Sequence, residues 1–440
     1  MDITLSARSG GSNRPPEARC PQPTMESSMT VTQTAATPAN KLKLAYLVSH
    51  PIQYQAPLLR RIAQEPEIDL TVLFGSDFSV RGYADQGFGG VTVKWDVPLL
   101  DGYHSELLPR LRDTNDIGIA RPLNYGIFSR LRRGRFDALW VHGYATLNAL
   151  HGMLAARALG IPVLLRAESW LSDRPRNHAT LLTKKLFFAG LRTLVGATLP
   201  IGTLNTRYWQ HYFGERVPQF LMPYAVDNDY FQRRTAEAAS GRSALQSELN
   251  LDPARPVILF ASKLQTRKRC LDLLEAYLQL APQPGQDPHP YLLIVGDGEE
   301  RAALQARVDQ SGCQSIRFTG FRNQSELPRF FDLCSVFVLP SRHEPWGLIV
   351  NEVMNAARAV IVSTDCGCQP DLVTDGLEGC VFPPGDVTAL REALRRVFAT
   401  PQTAAEMGAR ALERIQQWSF EQDIRGLRSA LSSVTGRRFE

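Results

Sequence analysis

From Lys41 onwards, short apolar runs alternate with amphipathic stretches along the chain. That alternation predicts strands and helices in turn, and so an α/β architecture with parallel sheets. Leu42-Lys43-Leu44-Ala45-Tyr46-Leu47-Val48 reads as the first strand, and Gln53 to Ala63 as the helix after it. Further strands are predicted at Asp69 to Phe74, Ala138 to Val141 and Pro162 to Arg166. A second series opens at Pro256-Val257-Ile258-Leu259-Phe260 and continues with strands at Tyr291 to Val295, Ile316 to Phe318, Val336 to Leu339 and Val360 to Ser363. Their apolar runs are nearly continuous, as expected of strands buried on both faces. Between the two series, Met222 to Phe231 reads as a connection between domains, followed by a polar helical segment to about Leu251. Gly82 to Tyr103, rich in glycine and aromatics without clear period, is expected to be a long functional loop. No internal repeat of fixed period is present.

Composition narrows the class without naming it. A chain of 440 residues has room for two or three domains, and 44% hydrophobic with 21% charged residues is ordinary for a soluble enzyme. The net charge of +5 is too weak to call for nucleic acid and suits phosphate-bearing ligands or an anionic membrane surface. Seven cysteines, an odd number without C-x-x-C spacing, fit a reduced, cytoplasmic setting and no zinc site. No run approaches the roughly 18 apolar residues that span a bilayer. Residues 1–40 are polar, lack the apolar core of a signal peptide and are expected to form a disordered tail, with Met25 or Met29 as alternative starts. The first predicted strand is followed by Ser49-His50-Pro51-Ile52-Gln53 rather than G-x-G-x-x-G, which counts against a dinucleotide-dependent dehydrogenase.

Several segments carry candidate chemistry. Glu344 and Glu352 lie eight positions apart around Pro345-Trp346-Gly347 and the start of an apolar helix, a spacing that can bring two carboxylates to one ligand. The free N–H groups near Gly347 and Leu348 suit an anion such as a diphosphate. Ser262-Lys263-Leu264-Gln265-Thr266-Arg267-Lys268-Arg269 is a basic cluster just past a strand, and Val295-Gly296-Asp297-Gly298 a glycine turn past the next. In the first half, His142 ends one strand, and Arg166 and Glu168 end the next. Chemistry-bearing side chains at carboxyl strand ends are the usual ligand contacts of open α/β sheets.

Taken in order, these segments resemble the retaining glycosyltransferases of family 4, with their E-x7-E signature at Glu344 and Glu352. The likeness runs from about Lys41 to the C-terminus and is strongest from Lys263 to Asp371. It implies the GT-B fold, two facing Rossmann-like domains with a cleft between them. The corresponding division is a tail at 1–40, an acceptor domain at 41–224, a connection at 225–255, a donor nucleotide-sugar domain at 256–415, and a C-terminal helix at 416–440 returning to the first domain. The resemblance implies that Glu344 meets the sugar hydroxyls of the donor and Glu352 the ribose. It implies that Lys263 and Lys268 neutralise the diphosphate, with Gly296, Gly298, Gly347 and Leu348 lining the donor site. Glu344, His142, Lys263 and Lys268 are the catalytic candidates. His50, Gln53, His142, Arg166 and Glu168 are expected on the acceptor side, along with the loop from Gly82 to Tyr103.

The reaction so implied moves a sugar, with retention, from a UDP- or GDP-linked donor to a saccharide or lipid-linked acceptor in cell-surface polysaccharide, lipopolysaccharide or glycoconjugate synthesis. It needs no cofactor, metal or nucleic acid. Retention would follow from front-face attack, the leaving diphosphate taking the acceptor's proton. Three features depart from the family pattern: Lys263 stands in place of Arg, the glycine-rich loop after the first strand is missing, and Arg358 stands where Gly is usual. They keep two alternatives open, a sugar-nucleotide epimerase of the same architecture and a non-catalytic nucleotide-sugar-binding protein. Basic-apolar segments at Arg130 to Arg135 and Lys184 to Phe188 suggest peripheral contact with a membrane, at its cytoplasmic face.

Overall fold

The computed structural model describes residues 41–174, 176–280, 289–400 and 402–439, so the expected tail at 1–40 lies outside the described residues. The first half contains β1 (Leu42–Val48), β2 (Ile68–Phe74), a short pair β3 (Tyr83–Asp85) and β4 (Val91–Val93), then β5 (His104–Leu107), β6 (Ala138–His142), β7 (Val163–Arg166) and β8 (Ala197–Thr198). All but β3 and β4 form one six-stranded parallel sheet in the order β5-β2-β1-β6-β7-β8. The second half repeats the plan with β9 (Val257–Ala261), β10 (Tyr291–Val295), β11 (Ile316–Gly320), β12 (Val336–Leu339), β13 (Ala359–Ser363) and β14 (Gly379–Phe382). Their order is β11-β10-β9-β12-β13-β14, again all parallel.

Alternation along each strand divides the core between the two faces of its sheet. In β1, Leu42, Leu44, Tyr46 and Val48 join one apolar cluster, while Ala45 and Leu47 join another. Strand β9 does the same, with Val257, Leu259 and Ala261 on one side and Ile258 and Phe260 on the other. Order reverses between β1 and β6 in the first sheet and between β9 and β12 in the second. A crevice opens at such a switch point, where the connections leave in opposite directions, and it lies at the carboxyl ends of the strands.

The two domains are joined by a tightly held crossover. The carbonyl of Tyr224 accepts from Asn351 Nδ2 (3.0 Å) and from Trp418 Nε1 (3.1 Å), and Trp346 and Trp418 stack at 5.6 Å. Asn351 is itself oriented by Trp346 Nε1 at 2.9 Å. Arg166, 2% exposed, donates to the carbonyls of Met222 (3.0 Å) and Pro223 (2.8 Å) and reaches Asp423 at 3.4 Å. Asp423 belongs to the helix Phe420–Thr435, which opens with a Ser419/Gln422 capping box and places Ile424, Leu427, Ala430 and Leu431 on the first sheet. The chain thus ends on the domain in which it began.

Two expectations change here. Arg166 does not face an acceptor, because its guanidinium is buried under the crossover and held by backbone carbonyls. The stretch from Gly82 to Tyr103, expected as one long loop, holds the antiparallel pair β3 and β4, which lies against the second domain. Phe88 meets Phe321 edge to face at 4.8 Å, Asn323 Nδ2 donates to the Lys94 carbonyl at 2.7 Å, and Ser325 bonds Asp96. The pattern was hard to read because each strand is three residues long and the second-domain residues that hold the ribbon lie well over a hundred positions away.

Arg166→Met preserves volume but leaves two buried carbonyls and Asp423 without their donor. Burial has already pushed the Asp423 carboxyl up to about 8, against the lowering by Arg166. The substitution is expected to cost about 3 kcal/mol of unfolding free energy, measured as a lower denaturant midpoint.

Candidate functional site

The carboxyl ends of the central strands of both sheets enclose a cleft of about 430 Å³. From the first domain it is lined by His50, Gln53 and Tyr54 after β1 and by Tyr83, Asp85, Phe88 and Trp95 from the β3–β4 ribbon. From the second come Ser262, Lys263, Arg267 and Lys268 after β9, Gly296 after β10, and Glu344, Gly347, Leu348 and Glu352 after β12.

The turn that carries Glu344 is built on a facing loop. Glu344 N donates to Asp365 O and Gly367 N to Glu344 O, both at 3.0 Å. A Cβ at Gly367 would fall 1.9 Å from the Pro345 carbonyl, so Cys366-Gly367-Cys368 is the close-packed support of this turn. Its two cysteines are buried and free. Gly347, at φ 97°, then starts the helix Leu348–Met354, which carries Glu352. Gly296 and Gly298 have a comparable backbone duty. A Cβ would lie 1.9 Å from Ser262 O at the first and 2.5 Å from Leu264 O at the second, so they let the turn after β10 close on the turn after β9.

Charges in the cleft are paired within the protein. Lys268, 8% exposed, forms an ion pair with Glu344, and Arg267 Nη1 approaches the same carboxylate at 3.3 Å. Burial alone would raise the Glu344 carboxyl, but Lys268 and Arg267 outweigh it and hold the group below its usual range. Lys263 Nζ bonds both oxygens of Asp85 on the ribbon, at 3.0 and 2.8 Å, and sits 4.8 Å over the Phe88 ring. Glu352 has neither hydrogen-bond nor ion-pair partner among the described residues, and burial pushes it up to about 8. It is therefore largely protonated at neutral pH. Among the described residues, no three His, Cys, Asp or Glu side chains gather as a metal site, and no helix is long and apolar enough to cross a membrane.

The first-domain candidates separate into two layers. His50 lines the cleft, stacked on Phe78 at 4.7 Å and bonded to Ser49 at 2.9 Å. Burial, helped by neighbouring His142, lowers it to about 4, so it is neutral. Gln53 also lines the cleft, but His142 and Glu168 stand behind Tyr54 instead of on the wall. His142 Nε2 lies 3.5 Å from Glu168 Oε1, and Gln55 Nε2 approaches the same ring. Tyr54 donates to Glu168 at 3.2 Å and Tyr224 donates to the same oxygen. Burial raises the Glu168 carboxyl, but these bonds, led by that of His142, leave it below its ordinary value. Direct contact with a ligand is thus open to His50, Gln53 and Tyr54, whereas His142 and Glu168 act through Tyr54. Arg358 lies at the amino end of β13, where it donates to the carbonyls of Phe331 (3.0 Å) and Asp332 (2.7 Å). Its replacement of glycine therefore leaves the cleft unchanged.

Tyr54, Gln55, Asp85, Phe88 and Arg267 were not singled out by the sequence. Only Arg267, inside the basic cluster, carried a local signal. Tyr54 and Gln55 come from the turn after β1, and Asp85 and Phe88 reach the cleft on the ribbon.

Known proteins place this geometry. Residues 242–414 match the family model described as glycosyl transferases group 1. The chain is 29% identical over 311 residues to the 2-deoxystreptamine glucosyltransferase of Streptomyces kanamyceticus, covering 67% of this chain and 78% of that one. It is 25% identical over 272 residues to the alpha-D-kanosaminyltransferase of the same organism, covering 60% and 68%. Among solved structures, Anabaena HepE in complex with UDP aligns with TM-score 0.66 at 17% identity, over 89% of this chain and all of the other. A Rickettsia africae glycosyltransferase aligns with TM-score 0.67 at 13% identity, over 90% and 99%. The segment that carries the Lys268–Glu344 pair thus matches the group 1 glycosyltransferases, and with both sheets matching those neighbours the chain has the two-domain GT-B fold.

Proposed function

We propose that the protein transfers a sugar, with retention, from a UDP- or GDP-linked donor to a saccharide or lipid-linked acceptor, in building a surface polysaccharide, lipopolysaccharide or glycoconjugate. The observation that carries this reading is the convergence of Lys263, Arg267 and Lys268 on one cleft with the carboxylates Glu344 and Glu352. HepE was solved with UDP and with UDP and glucose, and a Mycolicibacterium smegmatis relative is named a GDP-mannose-dependent mannosyltransferase, 28% identical over 256 residues. Such names support a nucleotide-sugar donor, and the saccharide and lipid-linked acceptors in them support the acceptor class.

In this reading, the domain at 256–415 holds the donor and that at 41–224 the acceptor. Lys263, Lys268 and Arg267 take the diphosphate, with the N–H groups of Gly347 and Leu348 beside them and Gly296 and Gly298 shaping the floor. Glu344 accepts from the sugar hydroxyls, and Glu352 meets the ribose. His50, Gln53 and Tyr54 face the acceptor, with His142 and Glu168 holding Tyr54 in place. As the glycosidic bond breaks, negative charge grows on the leaving phosphate oxygen, and fixed cations lower that barrier. The same oxygen takes the acceptor hydroxyl's proton while the hydroxyl attacks from the same face, so the configuration is kept. Three cations meet the diphosphate, which makes a divalent ion unnecessary. The donor must displace Asp85 from Lys263. A cytoplasmic setting at the inner face of a membrane fits this chemistry.

Thermal-shift measurements against UDP, GDP, ADP and their sugar conjugates are expected to give a rise of roughly 5 °C with one nucleotide family at saturation, unchanged by EDTA. No shift with any nucleotide overturns the reading. An epimerase or a silent binder would also shift but would show no acceptor-dependent release of nucleoside diphosphate.

Glu344→Gln is expected to cut turnover by about 100-fold with nucleotide affinity held within about threefold. Glu352→Gln should instead weaken nucleotide binding by about tenfold or more. It should also stabilise the chain at pH 8. The Glu352 carboxyl stays protonated in the folded state up to about 8 but ionises near 4.5 in the unfolded chain, so stability falls as pH rises between those values. Glutamine removes that loss, about 4 kcal/mol at pH 8, and the advantage should vanish at pH 4. Equal kinetic effects from the two substitutions would contradict the division of roles.

Asp85→Asn releases Lys263 from its partner. Affinity for the nucleoside diphosphate, measured by calorimetry, should rise by about three- to tenfold.

A further inference from the structure

We infer that the outer face of the helix His178–Leu191, together with Leu171, is a docking surface for an anionic phospholipid bilayer. This inference deepens the proposed function, on which it rests, by fixing the acceptor as lipid-linked and by naming the surface that meets the lipid.

The helix is capped by Asn177, which accepts from Thr180 N at 2.8 Å, and buries Phe188 and Leu191 on the first domain. On its other side Leu182 and Leu186 are 61% and 68% exposed, and Leu181 and Phe187 are also exposed. A surface helix of a globular protein normally turns polar residues outward, but this one is apolar on both sides. Leu171, 43% exposed, extends the patch to the loop after β7.

Charge selects the occupant. Between Asp173 and Glu215 the sequence has no acidic residue, while Arg174, Arg176, Lys184, Lys185, Arg192 and Arg207 are cationic. Asp173 is itself paired with Arg176, and Lys184 lies over the rings of Phe188, Tyr208 and Tyr212, which leaves Arg174 and Lys185 as the exposed cations beside the leucines. Leucines standing proud among cations match an anionic bilayer surface, which takes the apolar side chains below its headgroups and the cations among them. A second copy fits less well, because a two-fold contact through this face would set Lys185 and its neighbours against themselves. The patch is also continuous with the cleft rim. His343, next to Glu344, donates from Nδ1 to the Ser172 carbonyl at 3.2 Å, and Ser172 follows Leu171. A bilayer against this face would lie beside the cleft, where a lipid-linked acceptor would present its head group.

The test is co-sedimentation of the full chain with vesicles of phosphatidylcholine alone and of phosphatidylcholine with phosphatidylglycerol at roughly 2:1. Binding is expected to the mixed vesicles only, to weaken with salt, and to drop by about tenfold or more in the double variant Leu182→Gln/Leu186→Gln and in Lys185→Glu. The variants should keep the thermal shift of the unmodified chain with nucleotide, which shows that they remain folded. Vesicle binding without any nucleotide shift supports the surface while overturning the donor reading. A chain left in the supernatant with both vesicles, variants that bind as well as the original, or a dimer in sedimentation velocity that the leucine variant dissolves, each overturns the docking surface.

Discussion

The Tyr224 carbonyl is the point on which the two halves turn. Two side-chain donors meet it, Asn351 from the helix after the Glu344 turn and Trp418 from just before the last helix. One acceptor thus ties the crossover, the second-domain side of the cleft and the returning last helix together. The Tyr224 hydroxyl meanwhile donates to Glu168 in the first domain. Buried, satisfied hydrogen bonds of this kind specify one arrangement of elements, because every alternative leaves a polar group unpaired in a dry place. The stacked Trp346 and Trp418 supply the apolar cover that keeps the place dry.

The same physics governs the cleft. Each lysine of the cleft is held by a protein carboxylate: Lys263 by Asp85 and Lys268 by Glu344. Neither cation is left buried without a counter-charge, and neither loses its position. Glu352 is the exception, a half-buried carboxyl without a partner among the described residues, kept neutral by burial. An unpaired buried carboxyl is a local instability, and such groups concentrate at functional sites.

Much of the frame was legible because parallel strands buried on both faces leave unbroken apolar runs. Leu42 to Val48 and Tyr291 to Val295 read from sequence at the limits the structure gives them. Strands β5, β8 and β14 escaped notice, none of them longer than four residues. At the site, the sequence assembled Lys263, Lys268, Glu344 and Glu352, on strand-end turns of one domain and the helix that follows one of them. It misjudged Arg166, whose position at a strand's carboxyl end matches that of a ligand contact. Only the crossover carbonyls of Met222 and Pro223, far along the chain, show where the guanidinium goes.

Local pattern therefore determined the strands, the turns and the residue types at their ends, because hydrophobic period and turn chemistry act over a few residues. Tertiary structure decided which of those groups meet. It set Asp85 on Lys263, Lys268 on Glu344, and Tyr54 between the cleft and His142. Those partners are separated by 178, 76 and, for Tyr54 with the Glu168 that orients it, 114 positions. No periodicity in the chain encodes such distances. They follow from setting the carboxyl ends of two sheets on either side of one cleft, joined by one crossover.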